Sequence, residues 1–163
     1  MNDVESRIEE STLKDAQEII NVINSSNRDA FGRIIPKEYF REPVITLKEY
    51  EESLENMTFY IHRHEGDIIA VAALNVEDKD TGRIRWVYVL PNHQRQGIGT
   101  ILVSHIEAVA REIGLKKTRL MTDSNAVWAI RFYKNLGYTQ THLIPNPWGF
   151  DIWMEKQLEL SNG

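Results

Sequence analysis

Ile84-Arg85-Trp86-Val87-Tyr88-Val89-Leu90-Pro91-Asn92-His93-Gln94-Arg95-Gln96-Gly97-Ile98-Gly99-Thr100 is the stretch that decides the fold. Its first seven residues are rich in β-branched and aromatic side chains and predict a strand, which Pro91 ends because proline has no ladder donor. From Ile98 the period changes. Ile98, Ile101, Leu102, Ile106, Val109, Ala110 and Ile113 share one helical face, and Gly114 stops the helix. Gly97 and Gly99 therefore fall in a first helical turn, where amides lack intrahelical partners and the macrodipole is positive. A phosphate suits such a place, and two residues without Cβ atoms let an anion reach the backbone.

The residues exclude two familiar phosphate loops. The triphosphate loop G-x-x-x-x-G-K-[ST] fails because no Lys-Ser/Thr pair follows Gly97. The dinucleotide pattern G-x-G-x-x-G fails at Leu102, where its third glycine belongs, and its first glycine lies too far from the strand end at Leu90. What remains is Gln94-Arg95-Gln96-Gly97-Ile98-Gly99 after a strand and a proline. It resembles the [Q/R]-x-x-G-x-[G/A] signature of the GNAT superfamily of N-acetyltransferases. The resemblance implies that the amides of Gln94, Arg95, Gln96, Gly97, Ile98, Gly99 and Thr100 hold the pyrophosphate of acetyl-CoA. It also implies that the backbone of Val87, Tyr88 and Val89 runs beside the pantetheine arm. His93 and Arg95 are placed to add positive charge there, or to form a solvated loop.

A second block, Thr122 to Tyr138, follows about 25 residues on. Asp123 or Ser124 is a natural N-cap and Gly137 a natural C′ residue, so a short helix is predicted between them. Within it, Ala129-Ile130-Arg131-Phe132-Tyr133-Lys134-Asn135-Leu136-Gly137-Tyr138 resembles the second GNAT motif, whose tyrosine faces the acetyl-CoA sulfur. That tyrosine is Tyr133 here. The family's asparagine lies three residues before the alanine, and Asn125 lies four before Ala129; the resemblance assigns it to the pantetheine arm. The two motifs cover residues 83 to 138. They imply an acetyl-CoA-dependent transferase, with a homodimer as an open alternative to a monomer; the cytoplasm is the expected location by default, from the lack of a membrane span or signal peptide in the sequence.

Composition agrees with a small enzyme of one domain, residues 1 to 163, a length that buries about 70% of its unfolded surface. With no cysteine, disulfides, thiolate metal sites and an acyl-cysteine intermediate are excluded, and direct attack in a ternary complex is the simplest route for an acyl transfer. No apolar run approaches the roughly 18 residues of a membrane span, and the acidic start Met1-Asn2-Asp3-Val4-Glu5 is no signal peptide. A net charge of −5 argues against a nucleic-acid partner and mildly favours cationic acceptors.

The remaining pattern reads as one α+β unit whose element order resembles the GNAT fold, and the resemblance implies a single GNAT-like domain with a central mixed, mostly antiparallel sheet flanked by helices. Glu5 to Glu9 is a first strand, and Thr12-x-x-Asp15 a capping box before a helix with Ala16, Ile19, Ile20 and Ile23 on one face. Residues 24 to 45 lack periodicity and read as a long connection, either a lid over the acceptor or an ordinary surface loop with a short helix in it. Its charged residues Arg28, Arg33, Glu38 and Glu42 are the acceptor contacts if it is a lid. Thr46-x-x-Glu49 caps a helix through Leu47, Tyr50 and Leu54, and Glu65-Gly66-Asp67 turns a hairpin between 58–64 and 68–76. Strands follow at 117–122, 138–143 and 150–155, the last two joined by a loop at 144–149.

Chemistry requires that an acceptor amine lose its proton, since an alkylamine with a pKa of about 10.4 is only about one part in 2,500 neutral at pH 7. Many superfamily members carry a glutamate on the strand before the glycine loop, but this strand offers Arg83 and Arg85. Asp123 is the candidate base, with helix capping as its competing role. His62 and His64, alternate residues of a strand, have no evident third ligand, so no metal site is assigned and they read as solvated. Trp86, Trp128, Trp148 and Trp153 divide between core and acceptor pocket, with core expected for at least two. A non-catalytic acyl-CoA sensor and a transferase with another acyl donor or a hydroxyl acceptor share the glycine loop. Tyr133 favours the enzyme over the sensor.

Overall fold

The computed structural model describes residues 8–159. In chain order these form β1 (Ile8–Glu10), α1 (Ala16–Phe31), α2 (Leu47–Ser53), β2 (Met57–His64), β3 (Asp67–Val76), β4 (Thr81–Val89), α3 (Ile98–Glu112), β5 (Lys117–Asp123), α4 (Val127–Asn135), β6 (Thr139–Asn146) and β7 (Gly149–Gln157). The strands make one seven-stranded sheet in the order β1-β2-β3-β4-β5-β7-β6. Only β4 and β5 run parallel, and α3 is the crossover between them.

The sheet is covered on both faces. Tyr60, Leu74, Ile84 and Met154 pack on one side with Leu102 and Ile106 of α3 and Tyr133 of α4. Phe59, Ile61 and Val71 pack on the other with Ile19 and Ile23 of α1 and Tyr50 of α2. Each such side chain, taken fully out of water, contributes about 1.5–3 kcal/mol. The β2–β3 hairpin closes with Glu65 at φ 50° and Gly66 at φ 88°, as a turn matching the twist of its strands requires. Beneath α3, the Tyr138 hydroxyl donates to Glu107 Oε2 at 2.8 Å, while Lys156 Nζ donates to Glu107 Oε1 at 3.0 Å. That pairing lets a carboxylate lie buried in the core.

The main departure from the sequence reading is α1, which continues to Phe31 where a loop was expected from residue 24. Asn24, Ser26 and Asn27 are polar, so an apolar template loses the period there, yet they continue the inward face begun by Ile19 and Ile23. Asn24 clasps the returning chain: its Nδ2 donates to the Ile45 carbonyl at 2.9 Å, and its Oδ1 accepts from the Val44 and Ile45 amides. The Asn27 Oδ1 accepts from the Tyr88 hydroxyl at 3.0 Å. The expected connection thus shrinks to residues 32–46, where Arg28 of the helix pairs with Glu42.

Smaller corrections follow from edges and bulges. β1 is observed at Ile8–Glu10, and the expected start at Glu5 lies outside the described residues. The final loop contracts to Pro147-Trp148, because β6 is an edge strand and tolerates Pro145 within it. His62 is buried, and a register shift beside it breaks the alternation that would pair it with His64. None of the four tryptophans is fully buried; Trp86 packs against the α1 core, and Trp153 lies under the guanidinium groups of Arg83 and Arg119.

Candidate active site

The site begins with a fault in β4. Trp86 has φ 56°, and the register jumps from Ala73↔Arg85 to Val71↔Tyr88, so three steps of β4 oppose two of β3. A bulge bends its strand. The last β4–β5 pair is Arg83↔Arg119, although β5 stays paired with β7 as far as Asp123. Beyond that pair the facing edges of β4 and β5 part, leaving backbone donors and acceptors of Val87 to Val89 without a strand partner on that side.

Two cavities fill the gap. A groove of about 970 Å³ is walled by Val87, Val89, the loop from His93 to Thr100, Phe132 and Tyr133, with Asp29 and Arg33 from the α1 side. An inner chamber of about 180 Å³ is walled by Ser26, Phe31, Arg85, Trp86, Tyr88, Met121, Thr122 and Trp128. Both are bordered by Val87, Val89, Gln94, Ala129 and Tyr133. Among the described residues, Asp29 is the only carboxylate in either wall.

The glycine loop has the form expected of an anion cradle. Gly97 occupies the N-cap of α3 in the left-handed region at φ 80°, and a Cβ built there meets nothing within 4 Å. The first hydrogen bond of the helix is from the Ile101 amide to the Gly97 carbonyl, so the amides of Ile98, Gly99 and Thr100 stay unpaired ahead of it. Gln94 Nε2 donates to the Val89 carbonyl at 3.0 Å and ties the loop to the strand end. Gly99 is small for another reason as well, since a Cβ there would lie 3.2 Å from Phe132 Cζ. Unpaired amides, open space, the cations Arg95 and Arg33 and the imidazole of His93 as a hydrogen-bonding group fit a pyrophosphate, and the parted strand edge fits an amide-bearing arm.

Tyr133 stands where the cavities meet. Its ring is wedged edge-on between Phe132 and Tyr138, at centroid separations of 5.0 and 5.9 Å. Its hydroxyl has no hydrogen-bond partner among the described residues. Burial, with a smaller contribution from Tyr88, pushes the phenol well above its ordinary pKa, so it keeps its proton throughout the neutral range.

Asp123 and Asn125 lie elsewhere. The Asp123 Oδ1 accepts from the Asn125 amide at 2.7 Å and Oδ2 from Trp148 Nε1 at 2.5 Å, and the residue is in neither cavity wall. The expected capping role fails too, because the N-cap of α4 is Ala126, without a side-chain hydrogen bond. Asn125 Nδ2 donates to the Trp148 carbonyl at 3.1 Å. Together they bind the β6–β7 turn to the start of α4. Of the four charged residues expected to meet the acceptor, only Arg33 reaches a wall. Sequence reasoning missed Ser26 and Phe31, both on α1 past the point where the apolar period lapses.

Comparisons with known proteins agree with this geometry. Residues 20–138 match the model of the acetyltransferase (GNAT) family. An amino-acid acetyltransferase of Ralstonia nicotianae is 30% identical over 125 residues, which span 76% of this chain and 25% of that protein. The chain thus spans about a quarter of the length of that relative. Among solved structures, the PaiA N-acetyltransferase of Thermoplasma acidophilum in complex with coenzyme A superposes with TM-score 0.76 at 19% identity, covering 93% of this chain and 98% of that one. The protein yncA of Salmonella typhimurium, with its cofactor acetyl-CoA, gives TM-score 0.74 at 22% identity over 96% of each chain. The fold, the glycine loop and the family match agree with one another. The chain belongs to the acetyltransferase (GNAT) family.

Proposed function

We propose that residues 1–163 act as one domain that moves an acetyl group from acetyl-CoA directly to the amine of a small molecule or peptide in a ternary complex. The observation that carries this reading is the unpartnered Tyr133 hydroxyl at the junction of a cofactor-sized groove and a small polar chamber. Acetyl-CoA supplies the acetyl group activated as a thioester. The amides from Gln94 to Thr100 hold its pyrophosphate, and the backbone of Val87, Tyr88 and Val89 orients its arm toward Tyr133.

Tyr133 then acts on the leaving group as a hydrogen-bond donor. A free phenol, with a pKa near 10, is already a weaker acid than a thiol near 8.5, and burial weakens it further. As the amine nitrogen bonds to the acetyl carbonyl carbon the C–S bond breaks, and the proton the amine sheds passes through solvent to the CoA sulfur. Tyr133 contributes a hydrogen bond to the charge developing on that sulfur more than a completed proton transfer. Asp123, whose oxygens already serve the Asn125 amide and Trp148, is left out of the proton path. The name of the Ralstonia relative supports a small-molecule acceptor. A screen of amines with acetyl-CoA, read by release of free CoA thiol, tests the proposal. Acetyl-CoA binding without turnover of any amine would favour a sensor, and release only with hydroxyl acceptors would redirect the chemistry.

A further inference from the structure

Arg85 is a cation without a counter-ion in the wall of the inner chamber. Arg28, Arg41, Arg63 and Arg119 each have a carboxylate oxygen within 4 Å, from Glu42, Glu49, Asp15 and Glu77 respectively. Arg33, Arg83, Arg85, Arg95, Arg111 and Arg131 have none among the described residues, and of these only Arg85 lies in the wall of the inner chamber. Glu77, the acid whose field reaches it, is held by Arg119 through hydrogen bonds of 2.5 and 2.9 Å. Arg83, two residues away on the same strand face, adds a further positive charge.

A guanidinium remains charged at every physiological pH, and its fork of donors matches a planar carboxylate. Two neutral groups in the same wall also lack partners. Ser26, only 3% exposed, has an unbonded Oγ, and the buried Nε1 of Trp86 is likewise unbonded. Unpaired buried polar groups are uncommon enough in folded proteins that each calls for an explanation, and a ligand is one. The chamber, at about 180 Å³, suits a small molecule or a single side chain.

Resting on the transferase reading above, we infer that the acceptor is an amine bearing a carboxylate. Arg85 anchors the carboxylate, and Ser26 and Trp86 complete its shell. Local charge here overrides the molecule's net charge of −5, from which a cationic acceptor was expected. Anchoring the carboxylate in the chamber leaves the amine free to face Tyr133, which borders both cavities.

The test compares acceptors matched except for that group: free L-amino acids, their primary carboxamides and the corresponding decarboxylated amines, each with acetyl-CoA. After correction for the neutral amine fraction, the acids should exceed the other two in kcat/KM by at least about tenfold. Arg85→Gln should bring the acid-to-amide ratio close to one, chiefly through a higher KM for acids, and Arg85→Lys should retain part of the preference. Equal use of acids and amides by the wild type, or an unchanged ratio in Arg85→Gln, overturns the inference. Calorimetric titration with N-acetylated amino acids separates this outcome from failure of the transferase reading. Binding by the wild type and not by Arg85→Gln, with no turnover of any amine, leaves the carboxylate site standing and removes the transferase. Turnover of amines without carboxylate preference does the reverse, and neither turnover nor binding of acids overturns the carboxylate site. Should Arg85→Gln fail to fold, Arg85→Lys and Ser26→Ala carry the same comparison.

Discussion

The groove and the chamber share a border at Val87, Val89 and Tyr133 but are built from different material. The groove's anion cradle is backbone: consecutive amides of one short loop, presented by a glycine at φ 80° and the start of α3. The chamber is made of side chains drawn from α1, β4, β5 and α4. A backbone site tolerates changes in most of its side chains and depends on conformation. A side-chain site can be respecified by single substitutions while the fold stays the same, so on the proposed reading the groove keeps one cofactor while the chamber changes acceptor.

Tyr133 belongs to both regions, and the largest effect is expected there. Tyr133→Phe keeps the ring packing against Phe132 and Tyr138 and removes only the hydroxyl. We expect kcat to fall by about 10² to 10⁴ with little change in acetyl-CoA affinity or Tm. A kcat within about threefold of wild type, under rate-limiting chemistry, removes the hydroxyl from the mechanism.

Breaking the cradle alone should leave the chamber intact. Gly97→Asp suits the purpose, since aspartate tolerates the left-handed conformation, space is open at this position and a new carboxylate repels the pyrophosphate. Acetyl-CoA at 100 times its Kd adds about 2.7 kcal/mol to the stability of the wild type. The variant should lose that thermal shift, with its unliganded Tm lowered by the several degrees that about 1–2 kcal/mol of left-handed strain costs. An equal shift in both proteins would refute the cradle.

The converse change loosens the α1 side of the chamber. Asn24→Ala strips partners from the Val44 and Ile45 amides and the Ile45 carbonyl, a loss expected to cost about 1–3 kcal/mol in urea unfolding. Acceptor KM should rise more than acetyl-CoA KM. If cofactor KM rises more, the two regions are not separable in this way.

The smallest effect distinguishes the scaffold from both cavities. Burial raises the Asp15 pKa, but the Thr12 amide and Arg63 outweigh it and hold the carboxyl below its ordinary value. Arg41 and the Thr46 backbone and hydroxyl hold Glu49 at about 2. Both groups are depressed by folding, so their stabilisation is full above an unfolded pKa of about 4 and lost as pH falls through the folded values. Because Glu49 is exposed, the loss below pH 4 should be modest. Asp15→Asn with Glu49→Gln should flatten the urea midpoint between pH 4.5 and about 2, and an unchanged slope there would remove these carboxylates as its source.

Sequence alone was enough for the strand-loop-helix of β4 and α3, the Thr46 capping box, the Glu65-Gly66 hairpin and the placement of Tyr133 on a short helix. These signals are local: a period, a proline, a glycine or a cap acts within a few residues of itself. The extent of α1 was not legible, because Asn24, Ser26 and Asn27 look like loop residues until Val44, Ile45 and Tyr88 arrive to satisfy Asn24 and Asn27. Asp123 shows the limit from the other side: a carboxylate at a strand end could be cap, base or clamp, and Trp148, 25 residues away, made it a clamp. The bulge at Trp86 and the meeting of Ser26, Arg85 and Tyr133 around two cavities were decided only by the tertiary structure. Their partners are distant in the chain, and a side chain's free donors can be recognised only once every neighbour that might have taken them is in place.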